Sequence, residues 1–354
     1  MTATDAPLSV EEVSPTGVGE REAVVRIGAS GLCHSDLLFL HGASPYAPPL
    51  VLGHEGAGVV EDVGSGVTTV APGDRVVCSW ITPCGRCWFC ARGETHLCEE
   101  LAPQREERKL RRADGSAAVA MLGVGSFADH AIVDERALVR VETDLPDEQL
   151  ALIGCGVTTG VGAALNTAAV QPGSSVAVVG CGGVGQSVIQ GARIAGAARI
   201  VAIDPTELKR TTAARLGATD VVDPTATDAV EAVRALTGGR GADYVFEVAG
   251  LPDTLTSAYA MVRRGGALVM VAVQGPGASL SWAPFDAVRN EKRVLGCWYG
   301  SADFQRDFPR LVELAETGRL DVGSMISRRM ALDEVNDGLA AMERGEVIRG
   351  VIVN

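Results

Sequence analysis

The pattern of hydrophobic and polar residues changes once along the chain, near Gly173. Before this point short apolar stretches are interrupted by glycine and proline, as in GAGVVEDVGSGV and GDRVVCSW. Such stretches predict short strands of a β-rich domain. From Gly173 to about Gly296 an apolar strand, a turn and a helix follow one another repeatedly. Strands that alternate with helices at this spacing predict a parallel, doubly wound sheet.

The second region predicts individual elements. SVAVVG and RIVAID have the apolar composition of buried strands, and residues 183–196 between them predict a helix. Farther along, ELKRTTAARLG predicts a helix, and DYVFEVAG and GALVMVAV predict strands. The tail after about Cys297 holds two helical segments and a last strand, RGVIVN. We expect this tail to return to the first domain.

Length and charge limit the class of protein. A chain of 354 residues is too long for one comfortable core, which favours two domains. The formal net charge of −13 argues against binding to nucleic acid or to an anionic membrane. We find neither a signal peptide nor an apolar run near the roughly 20 residues that span a bilayer. We therefore expect a cytoplasmic protein, in which clustered thiols indicate metal binding or catalysis.

A glycine motif follows the first strand of the second region. Gly180, Gly182 and Gly185 have the G-x-G-x-x-G spacing and open a helix, and Asp204 ends the next strand. The glycines let a pyrophosphate approach the backbone at the helix N-terminus. Asp204 would accept hydrogen bonds from the adenosine ribose and repel a 2′-phosphate, which predicts NAD rather than NADP. The alternative is a glycine-rich turn without a ligand.

Four cysteines share one short loop with the spacing C-x2-C-x2-C-x7-C: Cys84, Cys87, Cys90 and Cys98. Four thiolates suit a closed, tetrahedral structural zinc site that leaves no position for chemistry. An iron–sulfur cluster is the rival, but the final C-x3-C-P of the ferredoxin pattern is missing. A disulfide pair is disfavoured by the expected compartment.

Further metal-binding side chains are scattered over three segments: GLCHSD (Cys33 to Asp36), LGHEGAG (His54 and Glu55) and LIGCGVTTG (Cys155). Two cysteines and a histidine form the ligand set of the catalytic zinc in alcohol dehydrogenases, where a fourth position stays open. Taken singly, a buried cysteine or histidine is more often a packing residue. We assign that packing role to the three remaining cysteines: Cys78, Cys181 and Cys297.

The order of these motifs along the chain resembles the zinc-dependent medium-chain alcohol dehydrogenases of the medium-chain dehydrogenase/reductase superfamily. The resemblance covers essentially the whole chain. It implies a β-rich, chaperonin-10-like catalytic domain formed by residues 1–156 and 297–354. A Rossmann domain at 157–296 would be inserted into it and bind NAD, with the active-site cleft between the two.

The resemblance also implies two zinc ions per subunit. The four-cysteine loop would hold the structural ion, and the catalytic ion would be held by Cys33, His54, Glu55 and Cys155, with Glu55 as an alternative ligand. Asp36 would orient His54 through its far ring nitrogen. Ser35 would contact the substrate hydroxyl and begin a proton relay.

Other residues are implied to contact the cofactor or the substrate. The implied cofactor contacts are His34, Thr159, Gly180, Gly182, Gly183, Val184, Gly185, Asp204, Lys209 and Arg349. His34 and Arg349 would face the pyrophosphate. The implied substrate pocket consists of Trp80, Met121 and Leu122, with Trp298 and Tyr299 near its mouth. These large apolar side chains favour a primary or aromatic alcohol over a sugar polyol.

One position departs from the family pattern. Where well-known relatives carry a histidine that passes the proton to solvent, this chain has Leu38, and the nearest alternative is His41. The loop between Cys98 and Met121 has a length between those of dimeric and tetrameric relatives. A homodimer is favoured, and a tetramer stays open.

The sequence thus predicts an enzyme that reversibly oxidises a small alcohol to the aldehyde or ketone with NAD. Two alternatives keep the fold: a nicotinoprotein that never releases NAD, and a dehydrogenase of thiol adducts of the formaldehyde type. A third alternative is a non-catalytic protein that binds zinc and a nucleotide.

Overall fold

The computed structural model describes most of the chain: residues 1–43, 46–100, 110–273, 279 and 283–354. The chain divides into two compact units. The first contains Met1–Cys155 and Asp303–Asn354, and the second contains Gly156–Ala302.

The second boundary lies after Ala302, a few residues beyond the predicted position at 296. Hydrogen bonds keep this extra segment with the second unit. The hydroxyls of Thr167 and Ser301 lie 2.7 Å apart, and the amide of Asn166 donates to the carbonyl of Gly300 at 3.2 Å.

The strands are, in chain order, β1 (Val13–Pro15), β2 (Glu22–Gly31), β3 (Leu50–Val51), β4 (Glu55–Val63), β5 (Arg75–Cys78), β6 (Leu110–Arg112), β7 (Ala117–Ala120), β8 (His130–Asp134), β9 (Leu138–Arg140), β10 (Ser175–Val179), β11 (Arg199–Ile203), β12 (Asp220–Val222), β13 (Ala242–Glu247), β14 (Val262–Met270), β15 (Arg293–Gly296), β16 (Ile326–Met330) and β17 (Arg349–Val353).

The α-helices are α1 (His34–Leu40), α2 (Asp147–Leu152), α3 (Thr158–Gly162), α4 (Gly183–Ile194), α5 (Glu207–Leu216), α6 (Ala229–Leu236), α7 (Pro252–Met261), α8 (Pro284–Asn290), α9 (Phe304–Glu316) and α10 (Val335–Glu343). Two π-helical turns flank α3, at Ile153–Val157 and Ala163–Thr167. Short 3₁₀ turns occur at Cys90–Arg92, Thr95–Leu97, Met121–Gly123, Glu135–Ala137, Tyr299–Ser301, Gly323–Met325 and Leu332–Glu334.

The second unit is built on a parallel sheet with the order β12-β11-β10-β13-β14-β15 in the described part of the chain. Side chains alternate between its two faces. Val176 and Val178 of β10 enter one buried cluster, and Ala177 and Val179 enter the other. A sheet that is covered on both faces needs strands that are apolar at every position. The predicted doubly wound sheet is confirmed.

The first unit is β-rich, as predicted. Its larger sheet follows the order β16-β17-β2-β4-β5-β9, with β8 paired to β2, and a smaller sheet joins β1, β6, β7 and β3. Strand β2 is central because it pairs with β4, β8 and β17. Its residues Ala23, Val25 and Ile27 alternate into the core, as expected for a strand with one buried face.

One helical stretch, Asp147–Thr167, is long and apolar enough to cross a bilayer by length and composition. Our search for apolar runs in the sequence missed it. Its most apolar window is 72% buried inside the protein, which is typical of a core helix. The first π-helical turn of this stretch contains Cys155, and such turns occur often at functional sites.

A buried carboxylate fastens a loop of the first unit. Glu135 Oε2 accepts hydrogen bonds from the backbone N–H groups of Thr68 at 2.8 Å and Thr69 at 3.0 Å. Its Oε1 lies 2.7 Å from the guanidinium of Arg21. Burial opposes the charged form, but these N–H donors, the Thr69 hydroxyl and Arg21 together lower the pKa of Glu135.

We predict that Glu135→Gln lowers the free energy of unfolding at pH 7 by about 2 kcal/mol, because a charged acceptor is lost. The pKa of Glu135 is lowered in the folded state, so its contribution is complete above the ordinary value of 4.5. It disappears as the pH falls through the lower folded value. Urea unfolding of wild type and variant should therefore differ at pH 7 and converge under acid conditions. The exposed Glu12→Gln is the matched control, and a difference that does not depend on pH would contradict the assignment.

Candidate metal and dinucleotide sites

The four-cysteine loop gathers its sulfurs around one point. The Sγ atoms of Cys84, Cys87, Cys90 and Cys98 all lie within 4.8 Å of one another. The Cys84–Cys90 and Cys87–Cys98 pairs are each 3.9 Å apart. Tetrahedral coordination at about 2.3 Å per bond separates the sulfurs by roughly 3.8 Å. The loop therefore fits a single zinc ion, and the spacing is far too long for a disulfide.

Backbone N–H groups point at these sulfurs. Cys84 Sγ accepts from the N–H of Arg86 at 3.4 Å and of Cys87 at 3.2 Å. The N–H of Cys90 is the main cause that lowers the pKa of Cys87 to about 6, whereas burial raises the pKa of Cys90 to about 12. Gly85 supports the tight winding because it adopts a φ of 73°. Donors aimed at sulfur stabilise the thiolate, which is the form that binds metal.

The scattered residues meet in a second group. Ligand atoms of Cys33, His54, Glu55 and Cys155 lie within 4.8 Å of one another. Cys33 caps α1, His54 and Glu55 stand at the start of β4, and Cys155 lies in the π-helical turn. All four belong to the first unit. Two thiols, an imidazole and a carboxylate are a donor set that zinc accepts.

The two thiols of this group differ electrostatically. The pKa of Cys33 lies well below its usual range because Cys155 donates a hydrogen bond to it and because His54 is close. The pKa of Cys155 is raised by the same contact with Cys33 and by burial. Cys33 is therefore the better thiolate of the pair.

Asp36 holds the histidine and the start of α1 in place. Its Oδ2 accepts from the Cys33 N–H at 2.8 Å, and its Oδ1 accepts from the Gly53 N–H at 3.2 Å. The same Oδ1 lies 3.3 Å from His54 Nδ1, which leaves Nε2 for a metal. Burial disfavours a charged His54, but Asp36 outweighs it and raises the pKa of the imidazole.

Glu55 forms a buried ion pair with Arg349. Burial raises the pKa of Glu55 to about 7, although Arg349 opposes the shift. Arg349 begins β17 and has 4% of its side chain exposed. Its Nε is buried and has no hydrogen-bond partner among the described residues. The structure thus places Arg349 beside Glu55, and its contact with a pyrophosphate stays a prediction.

Ser35 lies next to the metal-binding group. Its Oγ is 3.7 Å from Cys33 Sγ. His41 is held elsewhere, because its Nδ1 lies 2.6 Å from Asp5 and its Nε2 lies 3.3 Å from Glu343. His41, which caps the C-terminus of α1, follows Ser35 by six positions, which is about 9 Å along the helix axis. His41 is therefore beyond hydrogen-bond reach of Ser35.

The three glycines of the G-x-G-x-x-G motif meet different surroundings. A Cβ on Gly180 would lie 2.8 Å from the backbone nitrogen of Ala249, and one on Gly185 would overlap the carbonyl of Gly180. At Gly182, which caps α4, no neighbouring atom of the described residues lies within 4 Å of such a Cβ. The first and third glycines thus serve close packing, and the second leaves its backbone open to a ligand.

Asp204 is anchored at the end of β11. Its Oδ2 accepts from the Cys181 N–H and its Oδ1 from the Thr206 N–H, both at 2.8 Å. It is buried, and each oxygen keeps a lone pair for a further donor. The carboxylate is therefore fixed against the glycine turn.

Sequence reasoning missed two residues that support this end of the second unit. Gln186 Nε2 donates to the carbonyls of Cys181 and Lys209, both at 2.9 Å, and so ties the glycine turn to α5. Arg210 donates to the Asp204 carbonyl at 2.7 Å. The basic pair that follows Asp204 was a signal for Arg210, whereas no pattern distinguishes Gln186 from other polar helix residues.

The remaining predicted residues vary in exposure. His34 is exposed on α1, and Thr159 on α3, Gly183 and Val184 on α4 and Lys209 on α5 are partly buried. Trp80 is buried and Leu122 partly exposed. Met121 has no exposed surface and packs in a core cluster of the first unit, and Tyr299 is buried while Trp298 is exposed. The pocket assignments stay predictions.

Comparisons with known proteins identify the family. Residues 19–143 match the family described as alcohol dehydrogenase GroES-like domain, and residues 183–317 match the family described as zinc-binding dehydrogenase. S-(hydroxymethyl)glutathione dehydrogenase of Escherichia coli O1:K1 / APEC is 38% identical to this chain, over 99% of the chain and 97% of its own length.

Two solved structures have the same fold. An alcohol dehydrogenase zinc-binding domain protein from Burkholderia ambifaria has a TM-score of 0.95 at 34% identity, over 99% of this chain and 96% of its own. Benzyl alcohol dehydrogenase from Acinetobacter calcoaceticus has a TM-score of 0.90 at 30% identity, over 96% and 94%. With both metal-binding groups and the glycine motif in place, the chain belongs to the zinc-dependent medium-chain alcohol dehydrogenases, oxidoreductases that bind zinc and a nicotinamide dinucleotide.

Proposed function

We propose that this enzyme reversibly oxidises a primary or aromatic alcohol to its carbonyl product with NAD. The observation that carries the proposal is the group of ligand atoms from Cys33, His54, Glu55 and Cys155 within 4.8 Å of one another. When bound, zinc supplies a Lewis acid that lowers the pKa of an alcohol, and NAD supplies the hydride acceptor.

The residues around the proposed catalytic zinc site have different roles. Cys33, His54 and Cys155 would hold the ion and leave a fourth position for the substrate oxygen. Asp36 fixes the orientation of the His54 ring. Glu55 is neutralised by Arg349, which keeps a buried carboxylate beside the ligands without adding a full negative charge.

Ser35 is the proposed first proton acceptor because its hydroxyl lies 3.7 Å from a ligand sulfur. Leu38 has no titratable group, and His41 is bound to Asp5 and Glu343 at the surface. We therefore infer that the proton passes from Ser35 toward solvent without a histidine at position 38 or 41.

The size and polarity of Trp80 and Leu122 support an apolar substrate, and the 30% identity to a benzyl alcohol dehydrogenase supports an aromatic alcohol. The second candidate is a thiol adduct, because a relative at 38% identity is an S-(hydroxymethyl)glutathione dehydrogenase. The anionic adduct of glutathione would need cationic anchors near the pocket. For NAD over NADP, the support is the carboxylate of Asp204 at the end of β11.

A homodimer is the proposed assembly. Among the described residues, strand β15 is an edge of the parallel sheet, and α8, which precedes it in the chain, exposes Phe285 by 72% and Val288 by 78%. Such an edge, together with two exposed apolar side chains, is suited to pairing with a second copy.

The two metal groups can be separated by substitution. We predict that Cys155→Ala retains one zinc per chain and loses turnover of benzyl alcohol by about a thousandfold or more, because several kcal/mol of Lewis-acid stabilisation disappear. Cys90→Ala should instead lose the other zinc and unfold at a lower temperature. Elemental analysis and a melting curve measure both effects. Cys78→Ala, at a buried cysteine outside both groups, is the control and should retain two zinc ions. Two zinc ions in Cys155→Ala would refute the assignment.

The proton relay predicts different results for the two polar residues Ser35 and His41. Ser35→Ala should lower kcat by about a hundredfold, because an acid–base group in direct reach is lost. His41→Asn should change kcat by less than about twofold, since His41 is beyond hydrogen-bond reach of Ser35. Steady-state rates from pH 6 to 10 measure both. A loss in His41→Asn that matches that of Ser35→Ala would restore the histidine relay.

Substrate preference distinguishes the two candidate functions. We expect kcat/KM for benzyl alcohol to exceed that for S-(hydroxymethyl)glutathione by at least about a hundredfold, since an apolar pocket leaves the glutathione charges without partners. Formaldehyde mixed with glutathione provides the adduct, and formaldehyde alone is the control. A preference for the adduct would favour the second candidate.

A further inference from the structure

One guanidinium that contacts the Asp204 backbone, that of Arg210, is held at two points. Arg210 lies in the first half of α5, and its Nη1 donates to the carbonyl oxygen of Asp204 at 2.7 Å. Its Nη2 lies 3.0 Å from Oδ2 of Asp223. The two side chains are 17% and 28% exposed, so the pair is partly shielded from solvent. These contacts fix both terminal nitrogens of the guanidinium.

The sheet places Asp223 opposite Asp204. Asp223 directly follows β12, and the register pairs Ile203 with Val222, so both acids stand at the carboxyl edge of neighbouring strands. Asp223 is itself fixed, because its Oδ1 accepts from the N–H of Thr225 at 2.9 Å and from the Thr225 hydroxyl at 2.6 Å. The hydroxyl and N–H of Thr225, with a smaller effect of Arg210, lower the pKa of Asp223.

The contact between Arg210 and Asp223 affects which dinucleotide can bind. NADP differs from NAD by a 2′-phosphate, a dianionic group that arginine binds better than any other side chain. This chain carries arginine six positions after Asp204, which is close enough to touch the Asp204 carbonyl. Asp223 compensates the charge of that arginine and directs its Nη2 away from a ligand. The protein would then reject NADP by two means, the repulsion from Asp204 and the retention of Arg210.

We propose that Asp223 is a specificity-determining residue for the cofactor, which acts by holding Arg210 away from a 2′-phosphate. The inference rests on the proposed preference for NAD. Asp223 touches neither cofactor nor substrate in this role and acts through Arg210. Its removal should therefore strengthen binding of NADPH and leave binding of NADH almost unchanged.

The test measures dissociation constants of NADH and NADPH by fluorescence titration, which needs no substrate. The single variants are Asp223→Asn and Asp204→Gly. The double variant combines these two substitutions, and the triple variant adds Arg210→Leu to them. Asparagine keeps the oxygen that Thr225 requires and removes only the charge. Asp220→Asn is the matched control, because Asp220 pairs with Arg199 at 3.4 Å at the opposite end of the same strand pair.

We expect Asp223→Asn to strengthen the binding of NADPH by about tenfold relative to that of NADH, both in wild type and in the Asp204→Gly background. A gain of this size corresponds to one additional charge-assisted contact. Arg210→Leu should abolish that gain, and Asp220→Asn should show none. A gain that survives Arg210→Leu would mean that Asp223 acts through its own charge, and a gain below about twofold would mean that it has no effect. Either result overturns the inference.

The two proposals fail separately. If Asp204→Gly alone leaves the NADPH to NADH ratio unchanged, the role of Asp204 is refuted, and the comparison of Asp223→Asn with wild type still decides the role of Asp223. An unchanged melting temperature shows that each variant is folded, and Asp223→Asn should in addition keep the wild-type affinity for NADH.

Discussion

Glu55 and Arg349 carry opposite charges into the interior of the first unit, where neither could remain charged alone. They come from β4 and β17, which lie on either side of β2. On β2, Gly31 is opposite Glu55 in the register with β4 and opposite Val351, two positions after Arg349, in the register with β17. A Cβ on Gly31 would overlap Oε2 of Glu55 and would lie 3.0 Å from Nη2 of Arg349. The ion pair thus lies over β2 at Gly31, where the absence of a side chain leaves room for it.

The metal-binding group depends on that arrangement. His54 precedes Glu55 at the start of β4, Cys33 follows the end of β2 shortly after Gly31, and Cys155 comes from the π-helical turn after α2. Asp36 then links the N-terminus of α1 to the histidine. Buried ionisable groups are stable only when each finds partners, so the same contacts that satisfy these charges also set the positions of the zinc ligands.

In the second unit, backbone groups rather than buried ion pairs hold the candidate dinucleotide site in place. Asp204 is held by two backbone N–H groups, and its carbonyl receives Arg210. Here both oxygens of the carboxylate face a glycine turn and the start of a helix, where N–H groups are left without partners inside the secondary structure. This explains how Asp204 is fixed although no described side chain forms a salt bridge with its carboxylate.

The sequence by itself determined the features that depend on local spacing. The alternation of apolar strands with helices indicated the parallel sheet, G-x-G-x-x-G with Asp204 indicated the dinucleotide site, and four cysteines within one loop indicated the structural zinc site. Each of these rests on residues that are neighbours in the chain or in adjacent strands, so the pattern and the geometry coincide. Cys33, His54 and Cys155 could be grouped only through a family resemblance, because their separation along the chain contains no geometric information.

Only the tertiary structure decided which distant side chains meet. It brought Arg349 to Glu55, bound His41 to Asp5 and Glu343, and joined Arg210 to Asp223. It also placed Met121 inside the core and extended the second unit to Ala302. These contacts depend on strand order and on the path of loops between elements. No periodicity in the sequence indicates these contacts. The conformational entropy lost in forming them is offset by the packing of the whole unit and not by the local sequence.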